Sequence, residues 1–137
     1  MPFTRQVARP LLSSIFVVGG LDALRHPAGK AKKARAVTEP LHENVPATAG
    51  LDTETLVRIN GGVQVVAGVL LATGRFRRMA SLVLMGSLVP TTYAGHRFWE
   101  ETDSATRAQQ KMHFVKNLGL LGGLILAAVD TEGEATQ

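Results

Sequence analysis

The sequence predicts an all-α integral membrane protein whose four helices form an antiparallel up-down-up-down bundle. Its apolar residues are concentrated in four stretches, at about 7–24, 56–73, 79–95 and 113–129, and its polar residues lie mainly between them. Each stretch is close to the roughly 20 residues that cross a hydrocarbon core. A soluble helix would show a polar residue about every three or four positions, whereas 118–129 contains none.

The overall composition is less informative than this distribution. Hydrophobic residues make up 45% of the 137 residues and the mean hydropathy is +0.11, which are ordinary values for soluble proteins. Four spans leave no room for a second folded domain, so residues 1–137 are expected to form a single domain.

The elements are justified in chain order. The first span follows Arg5 and Arg9 but precedes no small-residue cleavage site, which predicts a retained anchor rather than a signal peptide. The connection at 26–55 contains three prolines and few bulky apolar residues, which predicts a partly flexible or surface-lying loop outside the membrane. Asp52 or Thr53 is expected to cap the second span.

Basic residues give the expected orientation of the bundle. The short turn between spans two and three carries Arg75, Arg77 and Arg78, so we expect this turn and both termini to be cytoplasmic. The isoelectric point of about 10 indicates contact with the headgroups of anionic membrane lipids. Only the basic run at 30–35 favours nucleic acid, and we expect no nucleic-acid partner.

The chain contains no cysteine, which excludes disulfides, thiol nucleophiles and thiolate-bound iron–sulfur clusters. It also lacks a G-x-G-x-x-G dinucleotide fingerprint. Any redox chemistry must therefore come from a bound cofactor or a partner. We assign no catalytic residue and do not expect the chain to be catalytic alone.

Polar side chains inside or at the edge of the predicted spans indicate a ligand site. A charged group at bilayer depth is costly and usually faces the bundle interior. In an antiparallel bundle the end of span one, the start of span two, the end of span three and the start of span four lie at one face. The polar residues of these ends are expected to line one cavity. The candidate ligand-binding residues are Asp22, Arg58, Asn60, Gln64, Tyr93, His96, Lys116 and Asn117.

Asp22 is the only acidic residue within a predicted span, so a bridge to Arg58 or Lys116 is expected. The remaining cation would favour an anionic or carbonyl-bearing ligand, such as a quinone head group, an oxyanion or a lipid phosphate. The alternative is that these residues are anchors at the headgroup level, with Asp22 pairing to Arg25. A metal site at His96, Glu100 and His113 is a further alternative, but no HExxH pattern is present and no metal is assigned.

Pairs of small residues four positions apart indicate close helix packing in lipid. They are Gly19 with Ala23, Gly68 with Ala72, and Gly119 with Gly123. This spacing is common in membrane bundles, and it carries no information about chemistry.

Several sequence pieces resemble the DoxX family of small bacterial membrane proteins. They include RPLL at 9–12, RINGGVQ at 58–64, GHRFW at 95–99 and HFVKN at 113–117, and the resemblance extends over nearly the whole chain outside the first loop and the C-terminal tail. It implies a four-span bundle in the plasma membrane. It also implies association with oxidoreductase assemblies: a thiosulfate:quinone oxidoreductase in some members, and a complex with superoxide dismutase and a thiosulfate sulfurtransferase in others.

Two function classes follow. In the first, the protein is a membrane subunit or scaffold of an oxidoreductase assembly linked to oxidative or thiol stress or to sulfur metabolism, and it binds a quinone at the polar cluster. In the second, it binds or transports a lipid or another small amphipathic molecule and has no redox role. Quinone sites need a hydrogen-bond donor and a titratable group, which Tyr93, His96, Lys116 and Asn117 could provide. A homo-oligomer is compatible with both classes.

Overall fold

The computed structural model describes residues 2–130, whose regular secondary structure is helical. The five α-helices are α1 (Pro2–Arg25), α2 (Pro27–Asn44), α3 (Thr53–Ala72), α4 (Arg77–Gly95) and α5 (Ser104–Val129). Single 3₁₀ turns follow α2 at Pro46–Thr48 and α4 at Phe98–Glu100. The all-α prediction is confirmed, although the described residues form five α-helices rather than four.

Three helices are long and apolar enough to cross a membrane: Phe3–Arg25 in α1, Thr53–Ala72 in α3 and Ser104–Val129 in α5. They contain 24, 20 and 26 residues in all, which at 1.5 Å per residue gives lengths of about 30 to 39 Å. The helices extend beyond the apolar stretches, so their length is sufficient. The helix α4 does not meet the same criterion, because it begins with two arginines and contains several serines and threonines.

The prediction of a partly flexible loop at 26–55 is wrong for most of that segment. Residues 27–44 form α2, which packs against α3 and α4. Pro27 occupies the first turn, where proline is tolerated, and the following alanines, lysines and arginine are strong helix formers. Thr38 anchors the helix: it is buried, and its Oγ1 lies 3.2 Å from Oγ1 of Thr53 at the start of α3.

Aspartates cap α3 and α5. Asp52 accepts a hydrogen bond from the Thr55 backbone N–H at 2.7 Å, which confirms the predicted cap. Asp103 accepts one from the Thr106 N–H at 2.8 Å. Hydrogen bonds from the side chain and the backbone N–H of Thr55 hold the pKa of Asp52 below the usual value of 3.8, and those from the backbone N–H and the side chain of Thr106 do the same for Asp103.

The helices pack in the order α1–α3–α4–α5, and α5 also touches α1. The closest approach joins α1 to α3 at two glycines. A Cβ atom on Gly20 would lie 2.5 Å from the Gly61 carbonyl oxygen, and one on Gly61 would lie 2.8 Å from the Gly20 carbonyl oxygen. Of the predicted small pairs, Ala23 and Gly68 lie at this interface, whereas Gly119 faces open space.

Three elements meet at one end of the molecule: the start of α1, the turn between α3 and α4, and the end of α5. Arg5 Nε and Arg9 Nη2 lie 3.1 and 3.2 Å from Asp130 Oδ2. Arg9 also lies beside Gly74, whose φ of +74° lets the chain turn after α3.

Burial in this molecule differs from that in a soluble bundle in its exposed apolar surface and its buried polar residues. The core is small and consists of Phe16, Ala67, Leu71, Ala80, Leu84, Leu88 and Leu124. Large apolar side chains face outward on α1, α3, α4 and α5; Val18, Val66 and Leu126, for example, are 67%, 61% and 70% exposed. Polar residues, among them Gln64, Ser87 and Asn117, are buried. This distribution is typical of helices surrounded by lipid.

Candidate functional site

A hydrogen-bonded seam of polar side chains joins α3 to α4. Gln64 Nε2 donates to Ser87 Oγ at 2.9 Å, and Ser87 Oγ donates to Asn60 Oδ1 at 2.7 Å. Asn60 Nδ2 donates to Thr91 Oγ1 at 3.4 Å. Asn60 and Gln64 share a face of α3 because they are four residues apart, and Ser87 and Thr91 share a face of α4 for the same reason. The two faces are complementary.

A second polar contact joins α4 to α5. Asn117 Nδ2 donates to Thr92 Oγ1 at 2.9 Å, and both residues are buried. Thr91 and Thr92 are adjacent, so α4 reaches α3 with one hydroxyl and α5 with the next. The amides of three predicted site residues, Asn60, Gln64 and Asn117, therefore hold the helices together.

The titratable part of the site is a histidine pair at the end of α4. His96 follows the last residue of α4, and its ring stacks on that of His113 of α5 with centroids 5.1 Å apart. His96 Nδ1 lies 2.8 Å from Gln110 Oε1. Because an amide oxygen only accepts hydrogen bonds, Nδ1 carries the proton in this arrangement and Nε2 is the acceptor.

The surroundings of His96 favour its neutral form. Burial is the largest influence and lowers its pKa below the usual 6.5. The positive charges of Lys33 on α2 and Lys116 on α5 act in the same direction, as does His113, while the hydrogen bond with Gln110 opposes them. The α2 helix therefore contributes a cation to this end of the molecule.

An aromatic cluster adjoins the histidines. The Phe98 ring meets the rings of Trp99 and Phe114 edge to face, with centroids 5.2 and 5.4 Å apart. The Tyr93 ring lies 6.1 Å from that of Trp99, and the Arg97 guanidinium lies 5.1 Å from the Tyr93 ring centroid, within cation–π distance. The backbone turn at 96–100 thus places imidazole, indole and guanidinium groups together.

The predicted charged residues do not join this arrangement as expected. The carboxylate of Asp22 binds Lys30 and, at 3.1 Å, His26, rather than Arg58 or Lys116, so the predicted bridge is wrong. The alternative partner, Arg25, is not its partner either. The chain turns at His26 directly into α2, which brings Lys30 back to the end of α1. Asp22, Arg58 and Lys116 are exposed, and Lys116 acts on His96 through its charge.

Two residues of the site were missed from the sequence. Ser87 is central to the seam, and Gln110 orients His96. The available signal for Ser87 was its spacing of four from Thr91 and its position within an apolar stretch. Within residues 2–130, no cluster of three or more histidine, aspartate or glutamate side chains is placed to hold a metal ion.

Comparison with known proteins identifies the family. Neither a curated protein nor a solved structure matches the sequence significantly. The DoxX family matches residues 5–97. The match includes the RINGGVQ segment and ends within GHRFW, so HFVKN in α5 lies outside it. Because the match covers more than half of the chain, from the first turns of α1 to just beyond α4, the protein belongs to the DoxX family.

Proposed function

We propose that the chain crosses the plasma membrane four times as an antiparallel up-down-up-down bundle, with α4 as the fourth span and both termini in the cytoplasm. The polar residues that lower the hydropathy of α4 support this assignment by their placement. Ser81, Ser87 and Thr92 are buried, whereas Met79, Leu82 and Val89 are exposed. A helix with its polar side chains turned inward presents an apolar surface to lipid.

Cysteine labelling tests this topology without background, because the chain has no native cysteine. Single substitutions at the exposed positions Gly50, Arg75 and Ala105 provide the sites. In intact cells an impermeant maleimide should label Gly50→Cys and Ala105→Cys, and Arg75→Cys should react only after lysis. Reaction of all three from one side would contradict the four-span arrangement, and the reverse pattern would contradict the orientation.

The function that the site supports best is that of a membrane subunit holding a quinone head group beside His96 and His113. One observation carries this proposal: a half-buried histidine kept neutral by its surroundings, with an aromatic cluster and two lysines around it. A quinone ring can stack on aromatic side chains. Its carbonyls accept hydrogen bonds from a cation such as Lys116. The hydroxyl of its quinol form donates a hydrogen bond to the free Nε2 of a neutral histidine.

The other predicted site residues have a supporting role in this proposal. Asn60, Gln64 and Asn117 use their amides in the contacts between helices, so they position α4 and its histidine. Tyr93, exposed at the edge of the aromatic cluster, is the further candidate for ligand contact. Asp22 and Arg58 are surface charges at the same end.

A partner must supply the electron transfer, because a chain without cysteine carries no thiol chemistry of its own. We propose that the protein recruits a soluble redox enzyme, of the superoxide dismutase or sulfurtransferase type implied by the family resemblance. The exposed cations Lys32, Lys33 and Arg35 on α2 offer a docking surface next to the quinone position.

The single tryptophan provides a direct measurement of quinone binding. Trp99 lies in the aromatic cluster, so a bound quinone should quench its fluorescence. For the purified protein in nanodiscs, titration with a short-chain ubiquinone should give saturable quenching. Because Nε2 of His96 accepts a hydrogen bond, His96→Ala should weaken binding of the quinol form, measured by its competition with ubiquinone, about tenfold, the equivalent of one hydrogen bond of roughly 1.4 kcal/mol. The exposed His26→Ala is the matched control and should bind normally.

The pH dependence of the quinol form follows from the lowered pKa of His96. An unprotonated Nε2 accepts a hydrogen bond from the quinol hydroxyl. Binding should therefore persist as the pH falls through 6.5 and weaken only when His96 becomes protonated below that value. Equal losses in His96→Ala and His26→Ala would overturn the assignment. Equally tight binding of an alkylbenzene without carbonyls would favour the alternative function, binding or transport of small amphipathic molecules.

A further inference from the structure

An apolar groove lies between α4 and α5 at the end of the molecule opposite the histidine pair. Its volume is about 360 Å³, within the roughly 300 to 1,000 Å³ of ligand sites. It is lined by Arg78, Leu82, Met85, Ile125, Ala128 and Val129. Five of these side chains are apolar, and the one cation occupies the second position of α4.

The depth of the groove follows from the helix register. From Arg78 to Met85 is seven residues, a rise of about 10 Å along α4. Arg78 and Val129 lie at the ends of their helices, so the arginine stands at the mouth and the apolar side chains line the interior. If α4 and α5 cross the membrane as proposed, this mouth lies at the level of the lipid headgroups.

The charge at the mouth is available for a ligand. Arg78 is exposed and makes no hydrogen bond or ion pair within residues 2–130. The nearby carboxylate of Asp130 is directed at Arg5 and Arg9 on α1. A guanidinium pairs with phosphate through two parallel hydrogen bonds.

We propose that this groove binds one anionic phospholipid of the surrounding bilayer, with its phosphate on Arg78 and the upper part of an acyl chain along Leu82, Met85 and Ile125. Charge complementarity selects this occupant. An apolar groove alone would take any acyl chain, whereas a guanidinium at its mouth favours a headgroup with net negative charge. The inference rests on the proposed membrane placement and is independent of the quinone site.

Native mass spectrometry tests the proposal on the full chain released from nanodiscs of equal parts phosphatidylglycerol and phosphatidylcholine. The wild type should retain one phosphatidylglycerol in preference to phosphatidylcholine. Arg78→Gln should reduce this preference about fivefold, the equivalent of about 1 kcal/mol for one arginine at the membrane surface. Arg75→Gln is the matched control, an exposed arginine of the same turn outside the groove, and should leave the preference unchanged.

A second variant tests whether the lipid occupies the apolar part of the groove. Ala128→Phe should fill the groove and release the lipid whatever its headgroup, while circular dichroism confirms unchanged helix content. Equal retention of both lipids by the wild type would overturn the proposal, as would equal effects of Arg75→Gln and Arg78→Gln or a second copy of the chain seated on this face. Cysteine labelling reports separately on the spans, so a failure of lipid selectivity is distinguishable from a failure of the membrane placement.

Discussion

Gly61→Ala is expected to lower the free energy of unfolding by about 3 kcal/mol, the upper part of the range for overpacking. The added Cβ would lie 2.8 Å from the Gly20 carbonyl oxygen and 3.0 Å from Ala23 Cβ. Backbone cannot move aside as a flexible side chain can, so α1 and α3 would have to separate along their interface. Unfolding of the purified protein in mixed detergent, followed by circular dichroism, measures the loss.

The adjacent residue supplies the control. A Cβ atom on Gly62 would meet nothing within 4 Å, and alanine is a better helix former than glycine by about 1 kcal/mol. Gly62→Ala should therefore be neutral or slightly stabilising. If the two variants unfolded alike, close approach at Gly61 would not determine how α1 and α3 pack.

Ser87→Ala should destabilise the protein by about 1 to 2 kcal/mol. The hydroxyl of Ser87 accepts from Gln64 and donates to Asn60. Its removal leaves a buried amide without its partner and separates the polar faces of α3 and α4. The same detergent titration measures the effect, and quinone binding at His96 should weaken with it if this seam positions α4.

Ser81→Ala is the matched control for that prediction. Ser81 is also a buried serine of α4, but its Oγ has no hydrogen-bond partner within the described residues. Removing an unpaired buried hydroxyl should cost nothing or should stabilise the helix. Destabilisation of equal size at Ser81 and Ser87 would show that loss of side-chain volume, not the hydrogen bonds, determines the result.

The apolar stretches predicted α1, α3, α4 and α5 because each is a continuous apolar run or has polar residues on one face only. The helix α2 could not be predicted from apolar periodicity. The stability of α2 depends on the helix propensity of its alanines and lysines and on contacts such as that between Thr38 and Thr53. Those contacts form only when α3 is in place. The charges and prolines of this segment favour a loop between two spans, whereas the helix propensities of its alanines and lysines favour a helix.

The same holds for the site: spacing within one helix is predictable from the sequence, whereas contacts with a distant helix are not. Asn60 and Gln64 were placed on one face by their spacing. The partner of Asp22 could not be predicted from the charges within and beside the spans, because Lys30 reaches back from α2. Ser87 was missed because a serine in an apolar stretch is unremarkable until its opposite residue is known.

The clamp of Asp130 on Arg5 and Arg9 joins residues at least 121 positions apart, and this spacing has a consequence for biogenesis. Chains emerge from the ribosome N-terminus first, so α1 enters the bilayer long before the carboxylate that binds its arginines is made. Until then those guanidiniums can pair with the phosphates of neighbouring anionic lipids. Closure of α5 on α1 is thus an exchange of lipid for protein contacts, and it must await the synthesis of α5.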